Sequence, residues 1–242
     1  GASGAPGGRG GGFVSPLLKF GYKGKIFPVN PKYPEVMNLK AYPTIRDIPE
    51  PVDYVISAVP AAEVPKILED SHHKGVKGIH LYTARFSETG RQHAIELERE
   101  ILEKAKKWGI RIIGPNCMGV YYPRQGISWE DGFPTEPGSV GLASQSGNVA
   151  GQLIRTAKDR GLRFSKAISY GNAIDFNECD YLEYFTHDPE TRLIIMYIEG
   201  VKDGQRFFPL LRQAASIKPV IVIKGGRGKS GARATGSHTA SL

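Results

Sequence analysis

The chain has 242 residues, 40% of them hydrophobic, and no apolar run long enough to span a bilayer, which bounds it to one large or two modest domains with ample core and no place in a membrane. Its net charge of +8 favours anionic partners, but the excess gathers in the Gly-rich ends and no helix carries an unbroken basic face with interleaved aromatics, so a phosphorylated small molecule ranks above nucleic acid. Two cysteines, Cys117 and Cys179, exclude a disulfide framework, and with nothing resembling a signal peptide ahead of the fold the expected location is the cytoplasm. The start in a Gly-rich loop and the end at Leu242 read as an excerpt of something longer.

In chain order, the Gly-rich stretch from Gly1 to Gly12 leads into Phe13-Val14 and Leu17-Leu18 at near-helical spacing, with Gly21 as a stop. A Gly-rich turn opening a helix is a phosphate cradle, and equally a linker by composition. Lys25 to Asn30 reads as a short strand. At its end, where an NAD site offers an acid to the ribose hydroxyls, stand Asn30 and Lys32, which suit a phosphate-bearing ligand better than NAD. Asp53 to Pro60 is the next strand, Ala61 to His73 a helix, and Gly78 to Thr83 another strand. Ser87 is expected to cap a long helix running to Trp108, with Ile95, Leu102, Ala105 and Trp108 facing inward and Gly109 as its stop. Arg111 to Gly114 forms a strand leading into Pro115-Asn116-Cys117. His72 and His73, at a polar helix end, are expected on the surface. The alternation predicts a doubly wound α/β domain over residues 1–122.

Prolines and glycines from Tyr121 to Pro137 break all periodicity, so residues 123–137 read as a linker. A second alternating set fills residues 138–242: strand Ser139 to Ser144, helix Val149 to Arg160, strand Phe164 to Tyr170, helix Asp180 to Phe185, strand Leu193 to Ile198, and a buried parallel strand Pro219 to Ile223. Three strand ends carry polar chemistry. Ser144-Gln145-Ser146-Gly147-Asn148 opens a helix whose first amides and positive dipole end can hold an anion, and is otherwise a plain helix cap. Glu199 ends an apolar strand near the buried rim, where a carboxylate asks for a cationic or imidazole partner. The loop after Ile223 holds Arg227, Lys229, Arg233 and His238; alone it reads as a basic tail. Together the three describe phosphoryl transfer through histidine, in which Glu199 fixes the tautomer of His238 and the helix amides hold the phosphoryl oxygens.

Gly1-Ala2-Ser3, Pro28-Val29-Asn30-Pro31-Lys32, Ala58-Val59-Pro60-Ala61, Gly114-Pro115-Asn116-Cys117-Met118-Gly119, Ser144-Gln145-Ser146-Gly147-Asn148, Ile198-Glu199-Gly200 and Gly236-Ser237-His238-Thr239 occur in this order across nearly the whole chain. In them the sequence resembles the NDP-forming acyl-CoA synthetases (ADP-forming acetate–CoA ligases), relatives of the succinyl-CoA ligase α subunit. The resemblance implies a Rossmann-like CoA-binding domain followed by a flavodoxin-like, succinyl-CoA ligase-like parallel-sheet domain. It implies that His238 carries the phosphoryl group, that Glu199 positions it, and that Ser146, Gly147 and Asn148 hold phosphate. CoA contacts fall on Gly1, Ala2, Ser3, Lys32, Val59 and Pro60, and Asn116-Cys117 lies where the CoA thiol end meets the phosphate site. No metal ligand is expected in the chain itself; ATP or ADP with Mg2+ belongs to an ATP-grasp domain or β subunit outside it. The expected substrates are a small carboxylic acid and phosphate, and the expected assembly is an oligomer. A rival reading is a non-catalytic CoA-binding regulatory module of a fused protein such as an acetyltransferase, which would need none of Glu199, Ser146 and His238.

Overall fold

The computed structural model describes residues 1–2 and 11–226 of the chain. After α1 (Gly11–Lys19), a two-residue hairpin of β1 (Glu35–Val36) and β2 (Leu39–Lys40) turns through Met37 and Asn38, both at positive φ. β3 (Tyr54–Ser57), β4 (Gly78–Leu81) and β5 (Arg111–Ile113) then pair in parallel in that order, connected by α2 (Val64–Lys74) and α3 (Gln92–Trp108). Both helices end at a left-handed glycine, Gly75 at φ 77° and Gly109 at φ 68°, a backbone state that strains any side chain with a β-carbon. Leu68, Ile79, Leu81, Phe86, Ile101 and Ile112 close the core between these helices and the sheet.

Three expectations for this half are corrected. Lys25 to Asn30 is not a strand: Val29 makes only an isolated parallel bridge to Tyr42. Ser87 does not cap the long helix, because Ser87–Thr89 form a separate 3-10 turn that Gly90 ends at φ 68°, and the helix starts only after Arg91. That later start leaves Ala94, Ile101 and Ala105 on the inner stripe and Ile95 exposed. His72 and His73 are on the surface, His72 stacked on Trp108 at 4.7 Å between ring centroids.

In the second half, β7 (Val140–Ser144) and β8 (Phe164–Ser169) are buried along their whole length, β7 as a largely apolar strand covered on both faces and β8 although it carries Ser165, Lys166 and Ser169, the Lys166 ammonium donating to Asp188 and Glu190. With β6 (Gly119–Tyr121), β9 (Leu193–Ile198) and β10 (Val220–Lys224) they form one sheet in the order β10-β9-β7-β8-β6. All neighbours run parallel except β6, which is antiparallel to β8; the strand inside Gly119–Tyr121 thus hydrogen-bonds to the second sheet, ahead of the irregular run. α4 (Gly147–Asp159), α5 (Glu178–His187) and α6 (Gly204–Ile217) make the crossovers. Helix α6 lies between Gly200 and Pro219, a span for which the sequence pattern had suggested no element. Strand β10 is parallel but not buried. It is the sheet's edge among the described strands, with Ile221 47% and Ile223 39% exposed, so an apolar β-branched run does not mark a buried strand here.

The connection β7-α4-β8 leaves β7 on one side, and β8-α5-β9 returns to its other side. That reversal makes the carboxyl end of β7 the switch point where α/β sheets open a crevice. The loop after β8 also grips the first half. Asp175 accepts from Arg111 Nε at 2.9 Å, Arg111 Nη2 at 3.1 Å and the Ile112 amide at 2.8 Å. Asn172 N–H donates to Pro115 O and Ile174 N–H to Gly114 O. Among the described residues no helix is long and apolar enough to cross a membrane.

His80, in β4, is 1% exposed and donates from Nε2 to Cys117 O at 3.0 Å. Burial lowers its pKa to about 4. A base held neutral in the fold but free to protonate when unfolded leaves stability intact above its ordinary value near 6.5 and erodes it as pH falls toward 4. The expected loss is about 1.4 kcal/mol per pH unit across that window. Urea titrations at several pH values should show this slope flattened in His80→Gln, which replaces the ring N–H donor by an amide N–H that does not titrate; an unchanged slope would assign the acid sensitivity elsewhere.

Candidate active site

The crevice is a cleft of about 660 Å³ whose two walls come from the two sheets. The first-half wall consists of Ala58 to Ala61 after β3 and Tyr82 to Arg85 after β4, and the second-half wall of Gln145 to Asn148 after β7 and Glu199 after β9. Asn116, Cys117 and Met118, on the connection between the sheets, complete it.

Ser146 is the N-cap of α4, its Oγ accepting from the Val149 amide at 3.3 Å while its own carbonyl accepts from Ser144 Oγ at 2.7 Å. The remaining first-turn amides and the helix dipole therefore face the cleft beside Gly147 and Asn148. Gly147 leaves room for Met118: a β-carbon there would lie 2.5 Å from Met118 Cγ, so a larger residue would force that side chain to shift. Glu199 is 5% exposed. Its amide, and that of Gly200 at 3.0 Å, donate to Gln145 Oε1, so one side-chain amide lashes the end of β9 to the end of β7. The Nε2 of the same Gln145 is buried without a partner among the described residues, a donor at the cleft for an incoming acceptor. Tyr197 lies two residues before Glu199 on the same strand face. Burial raises its pKa first, the Glu199 charge and a hydrogen bond to that carboxylate adding to it. A β-carbon on Gly225 would lie 2.4 Å from the Tyr197 hydroxyl, so the chain leaves β10 past Tyr197.

Asn116 adopts φ 59° and its amide donates to Thr83 O at 2.9 Å; Thr83 Oγ1 in turn donates to Val59 O at 2.7 Å, fixing the Val59-Pro60 rim. The Cys117 thiol points away from chemistry. Its Sγ is 3.7 Å from Leu81 O, the residue is 4% exposed, and burial pushes its pKa well up, so the thiol is an uncharged packing group although the residue lines the cleft. Gly1 and Ala2 lie elsewhere: the Ala2 amide donates to Val29 O at 3.0 Å, and Asn30 Nδ2 donates to Ala2 O. Lys32 is exposed just beyond, its amide donating to Asn30 Oδ1 at 2.8 Å in a tight turn. None of Gly1, Ala2 and Lys32 lines the cleft, although a β-carbon on Gly1 would come within 4.0 Å of Val59 Cγ1, so the two groups are contiguous. Ser3 and His238 lie outside the described residues.

Sequence reading thus names half of the lining residues as site residues and misses Gln145 as a tie, Tyr197 and Arg85. Tyr197 had a readable signal, the period-two spacing to Glu199; Gln145 and Arg85 had none, because their roles depend on elements brought together from distant parts of the chain.

Two family models match. One, described as a CoA binding domain, covers residues 1–123, and one described as a succinyl-CoA ligase like flavodoxin domain covers residues 137–242. The chain belongs to the CoA binding domain family, here joined to a succinyl-CoA ligase like flavodoxin domain, and with that pair to the NDP-forming acyl-CoA synthetases. It is 40% identical to acetate–CoA ligase [ADP-forming] I subunit alpha of Pyrococcus furiosus, over 100% of this chain and 53% of that one. It is 42% identical to acetate–CoA ligase [ADP-forming] of Methanocaldococcus jannaschii, over 91% of this chain and 31% of the relative. Among solved structures it is similar to the dinucleotide forming acetyl-coenzyme A synthetase 1 of Ca. Korarchaeum cryptofilum in complex with phosphate and ADP. That match has a TM-score of 0.90 and 36% identity, over 100% of this chain and 52% of that one. The chain therefore spans between about a third and about half the length of these relatives.

Proposed function

We propose that this chain is the CoA-binding and phosphohistidine-bearing part of an ADP-forming acid–thiol ligase, working in the cytoplasm with an ATP-grasp domain or subunit. The observation that carries the reading is the convergence of Glu199, the amides at the start of α4 and the Asn116-Cys117 segment on one cleft, with Gln145 tying two of the three together. CoA fits the surface beside it. The Gly1-Ala2 backbone, the Val59-Pro60 rim and the Lys32 cation form a track that ends in the cleft, so the nucleotide end would lie at Lys32 and the thiol end at Asn116.

In this reading acyl-CoA and phosphate yield free CoA and an acyl phosphate, whose phosphoryl group then passes to the His238 imidazole and releases the acid. The α4 amides hold the phosphoryl oxygens through both steps, since their dipoles are already aimed at the place where charge develops. Glu199 keeps the other imidazole nitrogen protonated and supports its charge. The ATP-grasp part, with Mg2+, would carry the group to ADP, and every step runs in reverse.

With an ATP-grasp partner the protein should make acyl-CoA from acid, CoA and ATP; without one it should not turn over. Thioester formation by this chain without any partner would show that the nucleotide site is wrongly assigned. For CoA itself, Lys32→Ala should weaken binding by about 1 to 3 kcal/mol, the loss of a charge-assisted hydrogen bond. Calorimetry reading unchanged affinity would remove Lys32 from the site, and tighter binding of NAD than of CoA would overturn the Rossmann ligand.

A further inference from the structure

Arg85 follows β4 on the first-half wall of the cleft, with its backbone at φ 78°. A long side chain is strained in that region, where glycine is at ease, so the arginine brings a local cost that the fold does not require. The turn is held rigid from beside it. Glu88 accepts from the Arg85 amide at 2.5 Å, the Phe86 amide at 3.0 Å and Asn172 Nδ2 at 2.7 Å, and Phe86 is fully buried. With its carboxylate taken by these three donors, Glu88 makes no ion pair with the guanidinium, and among the described residues the exposed Arg85 side chain has no hydrogen bond or ion pair. Of the described residues lining the cleft, Arg85 is the only cation and Glu199 the only carboxylate.

A cation with five donors facing a cleft this size calls for an anion. The phosphates of CoA belong, in the reading above, to the Lys32 side, which does not line the cleft. The phosphoryl group belongs to the opposite wall, at the first turn of α4. What remains for the first-half wall is the acyl chain, for which the short side chains of Ala58, Ala61 and Ala84 leave room.

We infer that Arg85 is a specificity-determining residue that selects acids carrying a second carboxylate, which its guanidinium receives at the far end of the acyl chain. The inference rests on the cleft's being the acyl-CoA site. Arg85→Gly is the informative variant, because glycine suits φ 78° and the melting midpoint should not fall. Calorimetry on the complete protein compares succinyl-CoA with butyryl-CoA, probes of equal chain length that differ in the terminal carboxylate. The native protein should bind succinyl-CoA at least about tenfold more tightly, the scale of one charged hydrogen-bonding partner, and Arg85→Gly should bring the ratio to about one. A native ratio near one, or a ratio that survives Arg85→Gly, overturns the inference and leaves the ligase reading standing. Binding of neither thioester overturns both.

Discussion

His238→Ala is expected to abolish phosphoryl labelling of the protein and all coupled turnover. Incubation with acyl-CoA and phosphate, or with ATP and the ATP-grasp partner, should label His238 with a group that is lost in acid and kept in base. A phosphoramidate hydrolyses once its nitrogen is protonated, whereas a phosphoserine at the adjacent Ser237 would survive acid. Glu199→Gln should fold normally and be phosphorylated about 100-fold or more slowly, since a neutral amide cannot support the charge that develops on the ring. Main-chain geometry explains why folding should survive: Gln145 holds the amide of Glu199 and Lys224 Nζ donates to its carbonyl at 2.7 Å, so the backbone is fixed without the carboxylate. Mass spectrometry finding the phosphate on Ser237, or a His238→Ala protein that still couples ATP use to thioester formation, would end the mechanism and leave a CoA-binding α/β protein.

Gly171→Ala should be the most damaging glycine-to-alanine change among the described residues. Gly171 sits at φ 54°, and a β-carbon there would lie 2.1 Å from Pro115 O and 2.4 Å from Asn116 O. Both contacts are with main chain, which cannot rotate aside as a flexible side chain can. The methyl would push the Pro115-Asn116 segment off the loop after β8, at the seam where the two sheets meet and where Asn116 enters the cleft. Left-handed strain and overpacking together predict a loss of about 2 to 4 kcal/mol. Denaturant unfolding measures that loss, and CoA calorimetry should fall with it because Asn116 moves. A variant as stable as the parent, with unchanged CoA affinity, would mean that the seam is far more compliant than its packing implies.

The sequence alone determined the order of the elements and most of the chemistry at their ends. Mostly apolar runs followed by proline, glycine or small polar residues marked β3, β4, β7 and β9, because a strand is apolar where it is buried and turns polar where it surfaces, and β8 read as a strand although it carries Ser165 and Lys166. Ser146 and Glu199 stood out for the same reason, each a polar residue where a buried strand stops. Local signals failed where a distant partner decides. Ser87 has the chemistry of a cap but lost the role to a 3-10 turn secured by Glu88, whose carboxylate also meets Asn172 of the loop after β8. The apolar run of β10 reads as a buried strand, yet its place at the edge of the described strands follows from strand order, which composition does not encode. Only the tertiary structure brought Ser146 and Glu199, separated along the chain by two crossovers, onto one crevice, through the reversal of strand order at β7. And only the tertiary structure set Arg85 facing them, because charge and position become a site when loops from two sheets converge, and convergence is a property of the packing and not of any one stretch of residues.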